Sequence, residues 1–152
     1  YWDQYARGAI VGLTRGVNRY HLVRATLDSL CYQVQDVLVA MEQDSGIGLT
    51  SLKADGGASA NNYILQTQAD LIGVPVNRPR CVETTAMGAA YLAGLAIGYW
   101  NSPEQVKANW AIDRTFEPSI SKEQREEMRA GWKRAVRRSF GWEKEEQQEE
   151  IR

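Results

Sequence analysis

The chain has 152 residues, of which 43% are hydrophobic and 24% are charged. This length and composition fit one globular domain with its own core. Eighteen Lys and Arg against nineteen Asp and Glu give a net charge of −1, so no positive excess favours nucleic acid or a membrane surface as a partner. Two cysteines, Cys31 and Cys81, are too few for a disulfide-stapled secreted scaffold, so we expect a cytoplasmic location.

The first residues predict a piece of a longer protein. Tyr1 opens an aromatic stretch in place of an initiating Met, and no basic region followed by an apolar block marks a signal peptide. Asp3 is expected to cap a single turn that ends at Gly8. The apolar run 9–13, which lies between glycines, then predicts a short strand.

A long helix is predicted next, with Asn18 as its N-cap. It is expected to run to about Asp44 and to stop at Ser45-Gly46. Apolar residues recur at helical spacing along it and predict the face that enters the core. These residues are Val23, Leu27, Leu30, Val34, Val37, Leu38 and Met41.

An alternation of strands and helices follows. The expected elements are a strand (49–54), a tight turn (55–58), a helix and a second strand (74–77). The helix is expected to be capped by Ser59 and to end at Gly73. Its apolar face carries Ile64, Leu65, Leu71 and Ile72. Pro75 places the second strand at a sheet edge or a strand start. Strand, helix, strand, helix predicts parallel pairing and an α/β architecture.

Residues 84–100 carry no charge and are rich in Gly and Ala. Thr84 or Thr85 is expected to cap a helix that ends near Gly98. At about 25 Å this helix is short of the roughly 30 Å of a bilayer's hydrocarbon layer, so we interpret it as a helix buried in a core.

The composition changes after Trp100. Ser102-Pro103-Glu104 starts a short helix and residues 114–118 are extended. Ser121 and Gln124 form a capping box for the last helix. That helix carries Met128, Trp132, Ala135, Val136 and Phe140 on one face. From Glu143 onward the residues are almost all charged or amides, which predicts a frayed end.

The turn from Asp55 to Asn61 is the strongest chemical signal. Gly56 and Gly57 follow a predicted strand and precede a helix, a setting that suits an anionic ligand because glycine leaves room near the backbone. Asn61 heads the core face of that helix, where its amide can read a base or a ribose. The alternative is an ordinary strand-to-helix turn, and the spacing alone does not decide between them.

The other candidates are weaker. Residues 84–88 form either the opposite lip of that crevice or a plain helix cap, and the cap is favoured. His21, as the only histidine, is taken as structural. Neither cysteine has a neighbouring base. Arg134, Arg137 and Arg138 are interpreted as a solvated helix face. The sequence contains no phosphate-binding GxxxxGK[ST] motif and no metal-ligand spacing.

Three stretches of this sequence resemble the FGGY carbohydrate kinases. They are the family's second signature at residues 8–13 and 21–28, its adenosine motif at Asp55-Gly56-Gly57-Ala58 with Asn61-Asn62, and residues 83–100. The last stretch, together with Tyr1-Trp2-Asp3 and residues 130–133, resembles the branch of the family that phosphorylates glycerol. The resemblance extends from Tyr1 to about Glu143.

The resemblance implies an α/β domain of the ribonuclease-H-like, actin-like ATPase type. Residues 1–142 would be part of the second domain of an FGGY kinase, without its first strands, and residues 143–152 a charged tail. By this likeness Gly57 and Asn61 contact the ATP or ADP, and Gly56 shapes the same turn. The residues present do not fix an oligomeric state, and the resemblance implies a homo-oligomer for the full-length enzyme.

The activity implied is transfer of the γ-phosphoryl group of ATP to glycerol, with Mg²⁺ on the phosphates. The family's general base, glycerol-binding residues and phosphate loops lie upstream of Tyr1, so the resemblance assigns no catalytic or metal-binding residue to this chain. Two alternatives stay open. One is another sugar kinase of the family, and the other is a non-catalytic binding or regulatory module with the same fold.

Overall fold

The computed structural model describes residues 1–143, so the predicted tail beyond Glu143 lies outside the described residues. The elements in chain order are α1 (Arg19–Ser45), β1 (Leu52–Lys53), a 3₁₀ helix (Gly57–Ala60), α2 (Asn62–Ile72), β2 (Val76–Pro79), α3 (Thr84–Ala96), α4 (Pro103–Lys107), β3 (Ile112–Phe116) and α5 (Lys122–Arg137). The predicted strand at 9–13 does not form.

The sheet has three strands in the order β1-β2-β3. β1 and β2 are parallel, as predicted, with Leu52 in register with Val76. β3 runs antiparallel to β2, with Thr115 opposite Asn77. Pro75 predicted either an edge strand or a strand start. The edge position is wrong for the described sheet, because β2 lies between β1 and β3, and the strand start is confirmed, because β2 begins at Val76. Pro75 stands directly before β2, so its own missing N–H removes no donor from the ladder, and its carbonyl accepts from the N–H of Leu52 at 2.9 Å.

The core lies between the sheet and α2. Leu65 and Ala69 of α2 are buried against Val76 of β2 and Phe116 of β3. α1 and α5 pack on the other sides of α2. Gly73 ends α2 in the left-handed conformation, with φ 82°, as the sequence predicted.

The predicted ends of α1 are confirmed, but its predicted core face is wrong. Asn18 caps the helix and Gly46 ends it. The side that α2 covers carries Cys31 and Gln35, which are both buried. The predicted apolar face is largely exposed; its exposed members are Val23, Leu30, Val34, Val37 and Met41, named here the α1 stripe. Nothing in residues 1–143 buries this stripe, because α2 packs on the neighbouring side.

The small-residue helix α3 is also more exposed than predicted. Only Gly94 is buried, and Leu92 is 71% exposed. Neither threonine caps the helix, since Glu83 occupies the N-cap position without a side-chain hydrogen bond. Within the described chain, no helix combines the length and apolarity needed to cross a bilayer.

The C-terminal helices follow their predicted caps. The hydroxyl of Ser102 accepts from the N–H of Gln105 at the start of α4. Ser121 and Gln124 form the predicted capping box of α5. Near the N-terminus, the predicted turn at Asp3 forms, and its carboxylate accepts from the N–H of Tyr5 at 2.9 Å.

Candidate functional site

The glycine turn after β1 is the first element of the site. Gly56 has φ 80°, a conformation that L side chains rarely adopt. Its N–H donates to the carbonyl of Val82 at 2.8 Å. Its own carbonyl accepts from the backbone N–H and the hydroxyl of Ser59, at 3.0 and 2.7 Å. The chain therefore turns at Gly56 into the 3₁₀ helix Gly57–Ala60.

Ser59 does not cap a helix, contrary to the prediction from its position. Its side chain is buried and bonded back to Gly56. The cap of α2 is Asn61, whose Oδ1 accepts from the N–H groups of Tyr63 and Ile64 at 2.9 and 3.5 Å. This side chain occupies the first free amides of α2, so those amides are not open to an anionic ligand.

Asn61 itself lies at the surface beside the turn. Because its Oδ1 serves the cap, the chemistry left to its side chain is that of a donor: the Nδ2 group makes no hydrogen bond within the described part of the chain. The sequence analysis expected this amide both to donate to a ligand and to accept from it. With Oδ1 engaged in the cap, we expect it only to donate, through Nδ2.

The face of the turn is open. A Cβ atom built on Gly56 or Gly57 would meet no atom within 4 Å. The turn thus has room at both glycines for a group from outside residues 1–143.

The loop before α3 borders the turn. The hydrogen bond from Gly56 to Val82 places Val82, two positions before α3, beside the glycines. The favoured interpretation of this segment as a threonine cap is wrong, because the cap hydrogen bond is absent at the start of α3. The other interpretation, in which residues 84–88 border the same crevice, stays a prediction, and the contact of Val82 with the turn agrees with it.

Arg78 is a residue near the turn that the sequence analysis did not single out. Its Nη1 donates to the carbonyls of Ser59 and Ala60 and to Oδ1 of Asn62, while its Nε donates to Asp113. These partners lie 16 or more positions away in the sequence, so no local pattern around Arg78 could have revealed them.

The residues interpreted as structural have structural surroundings. Nδ1 of His21 accepts from the backbone N–H of Asn18 at 3.2 Å and completes the capping box of α1. Burial, with a smaller contribution from Asp28, raises the pKa of the Cys31 thiol to about 11. A thiol held neutral in this way is a poor nucleophile at physiological pH, in agreement with the sequence analysis.

No group of three or more His, Cys, Asp or Glu side chains in residues 1–143 could hold a metal ion. A groove of about 490 Å³ lies between residues 9–11, α1 and α5, with Tyr32 and Trp132 in its wall. This groove shares no residue with the glycine turn.

Comparison with known proteins defines the class. The model of the FGGY family of carbohydrate kinases, C-terminal domain, matches residues 1–97, and the chain belongs to this family. Solved structures of the family share the fold: a xylulose kinase from Rhodospirillum rubrum superposes with a TM-score of 0.72 at 23% identity, covering 90% of this chain and 28% of that one. The chain is therefore part of a ribonuclease-H-like, actin-like ATPase domain.

Within the family, the chain is highly similar to glycerol kinases. It is 67% identical over 146 residues to the glycerol kinase of Agathobacter rectalis, covering 96% of this chain and 29% of the relative. It is 62% identical over 145 residues to that of Caldanaerobacter subterraneus subsp. tengcongensis, with 95% and 29% covered. A crystal structure of Plasmodium falciparum glycerol kinase with ADP has a TM-score of 0.82 at 32% identity, with 91% and 28% covered. The chain spans less than a third of the length of these relatives.

Proposed function

We propose that this chain is the nucleotide-binding part of an ATP-dependent glycerol kinase, which converts ATP and glycerol to ADP and glycerol 3-phosphate. The observation that carries the proposal is the 67% identity to a glycerol kinase over 96% of the chain. Gluconate and xylulose kinases of solved structure are only 21% and 22 to 29% identical, which disfavours another sugar kinase. A stand-alone binding module is disfavoured by the same extended similarity to an enzyme.

The proposed nucleotide contacts are Gly56, Gly57 and Asn61. Three features support them: the left-handed turn at Gly56, the open space at both glycines, and the free Nδ2 donor of Asn61. Gly57 would allow the adenosine to approach the backbone closely, and Asn61 would donate to it. A related glycerol kinase was crystallised with ADP, which supports a nucleotide as the ligand of the proposed site.

The remaining chemistry is assigned to residues outside this chain. Phosphoryl transfer requires positioning and charge stabilisation around one nucleotide, with Mg²⁺ neutralising charge on the phosphates. From the family resemblance we infer that the groups that hold Mg²⁺, the general base and most of the glycerol site belong to the rest of the kinase. The complete kinase, meaning the longer protein of which this chain is the nucleotide-binding part, is proposed to be a homo-oligomer.

A substrate comparison tests the proposal. The complete kinase is assayed for ADP release with glycerol, xylulose and gluconate at saturating ATP. We expect the highest kcat/KM with glycerol. A higher value with either sugar substrate would assign the chain to another kinase of the family, and no turnover with any of the three would favour a non-catalytic module.

A further inference from the structure

One partly buried guanidinium contacts the proposed nucleotide turn on both sides of Asn61. Nη1 of Arg78 lies 3.2 Å from the carbonyl oxygen of Ser59, 3.4 Å from that of Ala60 and 2.8 Å from Oδ1 of Asn62. The carbonyls of Ser59 and Ala60 are the last two before Asn61, and Asn62 directly follows Asn61. Arg78 thus contacts both chain neighbours of the proposed adenosine contact.

The guanidinium is itself fixed from the opposite side. Its Nε donates to Oδ2 of Asp113 at 2.7 Å, which ties it to β3. The Arg78 side chain is only 13% exposed, and its Cζ lies 5.5 Å from the centre of the Phe116 ring. A partly buried, charge-assisted contact of this kind is stronger and better oriented than an exposed ion pair.

These contacts join the sheet to the turn through a single side chain. β2 supplies Arg78 and β3 supplies Asp113, whereas the acceptors lie in the 3₁₀ helix and at the start of α2. The turn has an open outer face at Gly57, so its inner contacts must set its position.

We propose that Arg78 is the positioning residue of the nucleotide site, which fixes the backbone around Asn61 so that its amide meets the adenosine. The inference rests on the proposed function. Arg78 acts through the turn, since its Nε and Nη1 are directed to protein acceptors.

The positioning role requires a side chain that can bind Asp113 and the turn at the same time, and the forked guanidinium can do so. A planar fork reaches Asp113 through one nitrogen and the turn through another at the same time. Lysine keeps the charge but offers one nitrogen, so it serves either Asp113 or the turn. Arg78→Lys therefore separates a positioning role from a purely electrostatic one.

The test measures the KM for ATP, the KM for glycerol and kcat in the complete kinase. For Arg78→Lys we expect the KM for ATP to rise roughly tenfold, the effect of losing a hydrogen bond to a charged group. The KM for glycerol and kcat should stay close to wild type. Asn62→Ala, which removes only the 2.8 Å acceptor, should raise the KM for ATP less and leave the melting temperature unchanged.

Arg114→Lys is the matched control. Arg114 is exposed, lies in register with Arg78 on the neighbouring strand and packs on the same Phe116 ring, so its conservative replacement should change none of the three constants. Asn62→Ala keeps the inference testable if the substitutions at Arg78 prevent folding.

The outcomes distinguish this inference from the function on which it rests. An unchanged KM for ATP in Arg78→Lys and Asn62→Ala, with a raised KM in Asn61→Asp, would overturn the role of Arg78 and leave the site intact. An equal loss of ATP and glycerol affinity with a lower melting temperature would show a role in folding alone and would also overturn it. Unchanged constants in Asn61→Asp as well would overturn the adenosine site itself.

Discussion

The backbone N–H of Gly56 donates a 2.8 Å hydrogen bond to the carbonyl of Val82 and joins the turn after β1 to the loop before α3. Gly56 makes this bond at φ 80°, whereas its neighbour Gly57 lies outside the left-handed region. Both have open space at the Cβ position. The two glycines therefore differ: Gly56 is needed for the path of the chain, and Gly57 is the position at which a side chain can be added without backbone strain.

Gly57→Val should weaken ATP binding without destabilising the fold. The new side chain meets no protein atom within 4 Å of its Cβ, so it extends into the space proposed for the nucleotide. The expected result in the complete kinase is a higher KM for ATP with an unchanged KM for glycerol and an unchanged melting temperature.

Gly48→Val is the control for that substitution. Gly48 is exposed, has the same open space and also lies outside the left-handed region, but it precedes β1, whereas the turn follows β1. If both variants lose affinity for ATP and glycerol together, crowding of the nucleotide is not the cause.

Substitutions of Asn61 separate its cap from its proposed ligand contact. Asn61→Asp keeps an oxygen for the N–H groups of Tyr63 and Ile64 and removes the Nδ2 donor. It should raise the KM for ATP at a nearly constant melting temperature. Asn61→Ala removes both and should also lower the free energy of unfolding by about 1 kcal/mol. The measurement combines steady-state kinetics with urea denaturation, and an Asp variant with a wild-type KM for ATP contradicts the contact.

The helix ends could be predicted because their signals are local. Asn18 and Gly46 at the two ends of α1, and Gly73 after α2, act on backbone groups within one turn of themselves. The choice between Ser59 and Asn61 as the cap of α2 could not be made this way, because both residue types are good caps. Hydrogen bonding of Ser59 to Gly56 decides it.

The buried sides of the helices depend on partners that a sequence pattern does not identify. The helical period of α1 identifies an apolar face, but α2 packs beside that face, against Cys31 and Gln35.

For the site, the chain order alone brings the two glycines and Asn61 together. Arg78 could not be found in this way, since its contact with the turn forms only when β2 packs under α2.

Gly94→Leu should destabilise the chain by overpacking. A Cβ atom on Gly94 would overlap the indole ring of Trp100, which also packs edge-on against Tyr91 and Tyr99. The expected loss is about 1–3 kcal/mol in the free energy of unfolding, measured by urea denaturation. Gly88→Leu on the same helix, where a Cβ atom meets nothing within 4 Å, is the control. Equal stability of the two variants would show that the indole moves aside freely.

The 152-residue chain studied alone should self-associate through the α1 stripe. Val37 is 59% exposed and Leu30 46% exposed, and an apolar face of this length favours contact with another apolar surface. Leu30→Glu with Val37→Glu should lower the sedimentation coefficient toward that of a monomer. Ala40→Glu, on an exposed position of α1 outside the stripe, should not. Equal sedimentation of all three proteins would place the association elsewhere.

The chain alone should bind ATP weakly and phosphorylate nothing. Residues 1–143 supply no metal-ligand cluster, and the glycine turn is open on its outer face. A nucleotide held on one side buries little of its surface, whereas ligand sites normally enclose most of theirs. Purified chain is assayed for glycerol-dependent ADP release and titrated with ATP by calorimetry, beside Asn61→Ala. Weak binding that Asn61→Ala abolishes, without turnover, is the expected result. Turnover retained in Asn61→Ala would contradict both the adenosine contact and the assignment of catalysis to the rest of the kinase.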